Sequence, residues 1–207
     1  MPAKLKLVAR RSGEENRTVP LRRPNAELRQ REYLTEDEVE KIIKAAKRNR
    51  YGQRDATMIL TCYRHGLRAS ELCELRWSQV DWSRGHLHVK RLKGSDDSVH
   101  TIERDEKRAL RQFQRDQEPK SPFVFTSERG APFTPSGFAK IIERAGDQAE
   151  LGFNVHPHQL RHACGFALAN RGVDTRRLQL WLGHKDIRNT AAYSKLSAQS
   201  PDQARPP

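Results

Sequence analysis

The clearest structural signal in the chain is a helical repeat of apolar residues in the segment 35–48, TEDEVEKIIKAAKR. Thr35 and Glu38 have the spacing of a capping box, in which each side chain binds the backbone N–H of the other residue at the start of a helix. Apolar side chains then recur every three or four residues, which places them on one helical face. Those side chains are Val39, Ile42, Ile43 and Ala46.

Proline and glycine separate further segments with helical character. A helix over about 54–65 is expected to end at Gly66, because glycine suits the left-handed position that follows a helix. The segments HLHVKRL and SVHTI alternate polar and apolar residues around the turn sequence KGSDD, so a β-hairpin over about 86–102 is predicted. We therefore predict a mainly α fold with a small antiparallel β-sheet (α+β). The other predicted helices cover 70–75, 105–117, 135–149, 158–171, 175–182 and 188–197.

Charge and length suggest one main domain that follows a basic arm. Residues 1–31 hold nine Lys or Arg and three Glu, so we predict a disordered arm there, a domain over 32–198 and a flexible tail over 199–207. The whole chain has 39 Lys and Arg, 26 Asp and Glu, and a formal net charge of +13. Such an excess attracts a polyanion, and nucleic acid is the leading partner. A ribosome-associated or merely basic soluble protein is the alternative.

The cysteines favour a reducing compartment. Cys62, Cys73 and Cys164 are odd in number, lie in apolar or helical contexts and show no CxxC spacing. We interpret them as buried free thiols in the cytoplasm. The chain contains neither an apolar run of the ~18 residues that a membrane span needs nor a signal peptide, so no membrane partner is expected.

Three of the eight histidines lie within the segment 156–172, HPHQLRHACGFALANRG. Pro157 fits the first turn of a helix, so His158 and Arg161 share a face near the helix N-terminus. Exposed N–H groups and the helix dipole make this a natural setting for phosphate. There are two alternatives to this phosphate-binding interpretation: the histidines are incidental polar residues of the helix, or they form a metal site. The metal site lacks a second ligand pair at a familiar spacing, and its ligands would be His156, His158, His162 and Cys164.

Five short motifs occur in a fixed order along the chain, and together they resemble the tyrosine recombinase (phage integrase) family. The resemblance covers residues 33 to about 196 and implies the catalytic-domain fold of that family. The C-terminal part looks especially like the short fimbrial phase-variation recombinases, which invert promoters and lack a separate N-terminal core-binding domain. The motifs are GLRASEL (66–72), RLKG (91–94), HQLRH (158–162), LGHKD (182–186) and NTAAYSKL (189–196).

The resemblance implies a set of catalytic residues, and several of these also have an ordinary structural explanation. Arg68 can pair with Glu71 or Glu74 on its short helix, His184 can interact with a helix dipole, and Tyr193 can be a packed aromatic residue. The joint occurrence of the motifs in the family's order favours the functional interpretation. The implied catalytic residues are Arg68, Lys93, His158, Arg161, His184 and Tyr193.

Cleavage of a phosphodiester needs positive charge around the nonbridging oxygens. Arg68 and Arg161 each offer planar paired donors, and His184 offers a further one, so charge is stabilised without a metal. No cofactor is therefore expected.

The remaining roles concern proton transfer. Tyr193 is the implied nucleophile, and its phenol, with an ordinary pKa of about 10, needs a base or a cationic field. His158 is the candidate acceptor for that proton. Lys93 at the hairpin turn is the candidate donor to the leaving 5′-oxygen, although Lys90 or Arg91 would serve from position alone.

We therefore expect a site-specific DNA recombinase that works through a covalent 3′-phosphotyrosine, with inversion as the favoured outcome. The expected partners are double-stranded DNA with specific sites, a homotetramer on two sites and accessory DNA-bending proteins. One alternative is a non-catalytic regulator, because ALANRGVDTRRLQLWLGH also has the pattern of a helix-turn-helix. A relaxing topoisomerase with similar strand chemistry is the other.

Overall fold

The computed structural model describes residues 33–91 and 96–197, with side chains described as far as Tyr193 in the last helix. The predicted arm (1–31), Lys93 and the predicted tail (199–207) lie outside the described residues. A short 3₁₀-helix spans Trp77–Gln79. The α-helices of the described ranges are α1 (Glu36–Ala46), α2 (Gly52–His65), α3 (Ala69–Cys73), α4 (Arg104–Asp116), α5 (Pro135–Gln148), α6 (Pro157–Asn170), α7 (Thr175–Leu182) and α8 (Arg188–Ser197).

The helix ends follow the local sequence signals. Thr35 and Glu38 form the predicted capping box at the start of α1, with the Thr35 N–H 2.9 Å from Glu38 Oε2. Gly66 ends α2 with φ at +55°, and Gly183 ends α7 in the same left-handed region with φ at +64°. Asp174 begins α7 by accepting two backbone N–H groups. The predicted helices are confirmed, with boundaries that differ by at most two residues.

The sheet has three antiparallel strands in the order β1 (Val80–Asp81), β2 (His86–Val89) and β3 (Ser98–Thr101). Leu87 at its centre pairs with Val80 on one side and with His100 on the other. The predicted hairpin is β2 with β3, and the predicted class, mainly α with a small antiparallel sheet, is confirmed. The strand β1 was not predicted, because two residues are too short to show the alternation that identifies a strand.

Helix α6 is central to the site, because it packs against α2, α7 and α8. Most buried apolar side chains form one large cluster, whereas Tyr193 belongs to a smaller cluster between α6, α7 and α8.

All three cysteines are buried and free, as predicted. Within residues 33–91 and 96–197, no helix combines the length and the apolar character that a membrane crossing requires.

Candidate active site

The C-terminal end of α7 is capped by three guanidinium groups from other parts of the chain. The last carbonyls of a helix have no partner within it and carry the negative end of its dipole, so cations are stabilised there. Each guanidinium donates to a different carbonyl oxygen in three successive residues. The pairs are Arg91 with Trp181, Arg161 with Leu182 and Arg68 with Gly183.

Arg161 in α6 is almost completely enclosed, with 2% of its surface exposed. Its second donor binds the carbonyl oxygen of Gly66, so one guanidinium joins the ends of α2 and α7. Burial, and then the nearby charges of Arg68 and Arg91, lower the pKa of Arg161 to about 10. The side chain therefore remains a cation at neutral pH.

Glu71 in α3 balances this positive charge. Its carboxylate accepts from Arg68 Nη1 at 2.5 Å and from Arg91 Nη1 at 2.7 Å. Burial opposes ionisation of Glu71, but Arg91 and Arg68 outweigh burial and lower its pKa overall. The expected pairing of Arg68 with Glu71 is thus confirmed. This pairing still allows Arg68 to bind a phosphate, because its side chain keeps 30% of its surface exposed.

His184 follows the left-handed Gly183 and is held in a defined orientation. Its Nδ1 lies 2.9 Å from the hydroxyl of the buried Thr190. Its ring lies nearly parallel to that of Tyr193, with 6.2 Å between centroids. Burial, followed by the charges of Arg161 and Arg68, lowers the pKa of His184 to about 4.

Tyr193 on α8 is 3% exposed, and its ring packs against α6. A Cβ added at Gly165 would lie 2.8 Å from Cε1 and Cζ of this ring, so only glycine leaves room for it. Phe166 contacts the ring edge-to-face, with 5.1 Å between centroids. The Tyr193 hydroxyl lies 2.8 Å from Nδ1 of His162.

His162 was not among the predicted catalytic residues, although it lies in the HQLRH motif. Its distance of four residues from His158 was the available signal, because that spacing places two side chains on one helical face. The two rings meet edge-to-face with 4.4 Å between centroids. Burial first, and then His158 and Arg161, lower the pKa of His162 to about 4.

Four of the six predicted residues gather around the end of α7, namely Arg68, Arg161, His184 and Tyr193. His158 lies on the first turn of α6 beside His162, and Lys93 lies outside the described residues. Within the described ranges, no group of three or more His, Cys, Asp or Glu side chains is arranged to hold a metal ion. The alternative metal site of His156, His158, His162 and Cys164 is therefore not formed there.

Comparison with known proteins identifies the group of proteins that shares this arrangement. Residues 32–200 match the phage integrase family. The chain belongs to this family. It is a tyrosine recombinase, so the predictions of family, fold and enzyme class are confirmed.

The relatives include short and long proteins. The type 1 fimbriae regulatory proteins FimB and FimE of Escherichia coli (strain K12) are 40% and 37% identical to the chain. These matches cover 84% of the chain and 88% of FimB, and 83% of the chain and 89% of FimE. The tyrosine recombinase XerA of Pyrococcus horikoshii is 33% identical over 80% of the chain and 57% of XerA.

Solved structures share the fold. The crystal structure of XerA recombinase matches with a TM-score of 0.73 and 27% identity, over 84% of this chain and 65% of that chain. A lambda integrase dimer bound to a COC′ core site matches with a TM-score of 0.63 and 22% identity, over 84% of this chain and 49% of that chain. The chain thus spans less than two thirds of the length of each of these solved structures.

Proposed function

We propose that this chain is a site-specific DNA recombinase that breaks and rejoins strands through a covalent 3′-phosphotyrosine at Tyr193, and that it inverts a DNA segment. The observation that carries the proposal is the position of Tyr193: its hydroxyl contacts the imidazole of His162. Its ring lies beside that of His184, and it is close enough to Arg161 to affect the pKa of that guanidinium. The similarity to two fimbriae regulatory proteins over nearly their whole length supports inversion as the outcome.

In this proposal the scissile phosphate lies between Arg68, Arg161 and His184. The carbonyl oxygens at the end of α7 and the Glu71 carboxylate hold the guanidinium groups before DNA arrives. Fixed donors lose little energy to reorganisation when charge develops in the transition state. Two cations and a neutral imidazole can then stabilise the pentavalent phosphate.

The proton transfers complete the proposed reaction. His158 on the first turn of α6 faces the phosphate in this proposal and is one candidate base for Tyr193. Lys93 protonates the leaving 5′-oxygen. The phosphotyrosyl bond keeps the energy of the phosphodiester, so a new 5′-hydroxyl can attack it and restore the strand without ATP. No cofactor takes part in these steps.

We propose double-stranded DNA with specific sites as the partner, bound by a homotetramer that brings two sites together with accessory DNA-bending proteins. The solved relatives include XerH bound to its difH substrate and lambda integrase bound to a core site, which supports DNA as the partner. A cytoplasmic location also stays a proposal, and the three free thiols support it.

A non-catalytic regulator is less well supported. Helices α6 and α7 are joined at Gly172, with φ at +77°, so the helix-turn-helix pattern has a structural counterpart. A regulator needs no buried tyrosine in contact with histidine, however, and the family match favours the enzyme. A topoisomerase would form the same adduct at many unrelated sequences.

Covalent capture tests the proposal. The wild-type protein is incubated with fragmented chromosomal DNA of its source, denatured, and the attached fragments are sequenced. We expect a small set of fragments that share one sequence, and none from Tyr193→Phe, which lacks only the attacking atom. Unrelated captured sequences would favour the topoisomerase. Failure of the wild type to capture any fragment would contradict the enzyme and favour the regulator.

A further inference from the structure

The contact between His162 and Tyr193 is the part of the site that neither the motif comparison nor the family match explains. The two residues lie 31 positions apart in the sequence and on different helices, and the fold brings Nδ1 within 2.8 Å of the phenol oxygen. The tyrosine ring has little freedom to leave this position, because Gly165 and Phe166 enclose it. A hydrogen bond of this length is within the range required of a nucleophile and its base.

We propose that His162 is the general base that accepts the Tyr193 proton, an assignment that rests on the proposed strand-cleavage function. His162 is then a catalytic residue, because it contacts the attacking atom itself. The assignment requires Nδ1 to be the unprotonated ring nitrogen and Nε2 to carry the hydrogen, which is one of the two neutral tautomers.

The step balances without any additional reactant. The Tyr193 O–H bond breaks and its proton moves to Nδ1 of His162 while the phenol oxygen forms a bond to phosphorus. The bond from phosphorus to the 5′-oxygen breaks, and the leaving oxygen takes a proton from the general acid. In religation the attacking 5′-hydroxyl gives its proton to the group that acted as general acid, and its oxygen bonds to phosphorus. The proton on His162 returns to the phenol oxygen as the tyrosyl–phosphate bond breaks.

The surroundings of His162 keep its ring neutral before DNA binds. Burial, His158, Arg161 and His156 lower the pKa of His162 to about 4, so at neutral pH its acceptor nitrogen is available. His184, in the turn after α7, is near enough that protonation of His162 would lower the pKa of His184. A bound phosphate places negative charge beside Arg161, which offsets the charge of that guanidinium and makes the imidazole of His162 more basic at the moment of attack.

His158 and His162 therefore divide two tasks that the motif comparison gives to one residue. His158 is exposed on the first turn of α6, near the positive end of the helix dipole, where a phosphate is favoured. His162 lies one turn further along, where its ring meets both His158 and Tyr193. The edge-to-face contact with His158 also orients the ring of His162 toward the nucleophile.

The first test needs no DNA. Nitrogen-15 NMR of the histidines at about pH 7, with His162→Gln to assign the signals, is expected to show His162 protonated at Nε2 and unprotonated at Nδ1. The opposite tautomer would overturn the base role, because Nδ1 would then donate to the phenol rather than accept from it. This result does not depend on whether the protein cleaves DNA.

The second test measures the rate of covalent adduct formation on a nicked duplex built from a fragment that wild-type protein captures. His162→Gln is expected to bind this duplex normally but react about 10² to 10⁴ times more slowly, the usual contribution of a general base. His88→Gln on the exposed face of β2 is the matched control and should react like wild type. A His162→Gln rate within about threefold of wild type would overturn the role.

A more acidic nucleophile distinguishes a base from a residue that only packs against Tyr193. Replacement of Tyr193 by a fluorotyrosine lowers the phenol pKa, so the reaction should depend less on a base. The factor by which His162→Gln slows the reaction should therefore be smaller with fluorotyrosine than with tyrosine. If His162→Gln slows the reaction by the same factor with both nucleophiles, the base role is overturned. It is also overturned if fluorotyrosine reduces the slowing caused by His158→Gln but not the slowing caused by His162→Gln. If the wild type forms no adduct, the proposed function fails, and the base role fails with it.

Discussion

Arg91 and Glu71 form an ion pair in which both side chains are almost completely buried, with Nη1 of the arginine 2.7 Å from Oε2 of the carboxylate. Arg91 follows β2, immediately before the segment that contains Lys93, and Glu71 lies on α3 beside Arg68. The guanidinium also binds the carbonyl oxygen of Trp181. One buried arginine thus joins the base of the hairpin, the helix that follows Arg68 and the end of α7.

Replacement of Arg91 by Met should destabilise the fold strongly. Removal of one partner leaves the carboxylate of Glu71 buried with less compensation, and breaking such a pair costs about 3 to 5 kcal/mol. The free energy of unfolding, measured by denaturant titration, should fall by that amount. Arg84→Met is the matched control, because Arg84 is exposed and pairs with Asp81 at 3.8 Å. Equal effects of the two changes would contradict a structural role for the buried pair.

Gly165→Ala should displace the nucleophile. The new Cβ would meet the Tyr193 ring at 2.8 Å, and overpacking of this kind costs about 1 to 3 kcal/mol. Adduct formation on a captured fragment should slow more than the loss of folded protein explains, because the hydroxyl moves away from His162. Gly146→Ala is the control, since its Cβ would meet Val155 at 2.6 Å in another part of the core. Equal slowing in both variants would argue against a specific effect on Tyr193.

A helix or strand was predictable from the sequence wherever its ends are set by residues a few positions away. Thr35 with Glu38 and the glycine after His65 act on backbone groups within a few residues, so the sequence alone identifies these helix ends. Neither signal depends on contacts between distant segments. Strand β1 lacked a signal because it is two residues long and depends on its partner β2.

The site was predictable in its residue types and only partly in its contacts. The motifs identify Arg161 and Tyr193, but the neighbours of these residues depend on how α6, α7 and α8 pack. From the sequence, Arg91 is considered only as another candidate for the proton donor in place of Lys93. Nothing in the motif RLKG indicates that its guanidinium is buried against Glu71. The contact of His162 with Tyr193 also joins distant segments, so the sequence does not show it. The motif therefore favours His158 as the base.

Lys93→Ala should cleave ordinary DNA slowly yet recover on a substrate whose 5′-bridging oxygen is replaced by sulfur. A thiolate leaves without much help from a general acid, so the loss of the ammonium should matter little there. Lys90→Ala is the matched control, because Lys90 is exposed directly after β2, and it should show neither the defect nor the rescue. Absence of rescue in Lys93→Ala would exclude Lys93 as the acid.

Deletion of residues 1–31 should weaken DNA binding and reduce its dependence on salt. The segment has nine basic and three acidic residues, and each phosphate contact contributes about 0.9 to the slope of log K against log salt. A full-length variant with those nine basic residues changed to Gln should behave like the deletion. An unchanged slope in both proteins would contradict a role for this segment in binding the DNA backbone.

Acid should destabilise the fold through His100, a fully buried residue on β3. Burial first, and then the charges of His65 and Arg91, lower the pKa of His100 to about 2, whereas an unfolded histidine titrates at about 6.5. Between these values the unfolded chain binds one proton more than the folded chain. The free energy of unfolding should therefore fall as the pH drops below about 6.5, by at most about 1.4 kcal/mol per pH unit for this group.

Denaturant titrations of the wild type and His100→Gln between about pH 7.5 and pH 5 test this contribution. His162 and His184 also have lowered pKa values, so they add the same acid sensitivity to both proteins. The variant should be less stable at neutral pH, because Gln replaces a ring that stacks on Trp181, but its stability should depend less on pH. His88→Gln, with an exposed ring, should keep the wild-type slope. Parallel curves for the wild type and His100→Gln would show that His100 does not bind the extra proton on unfolding.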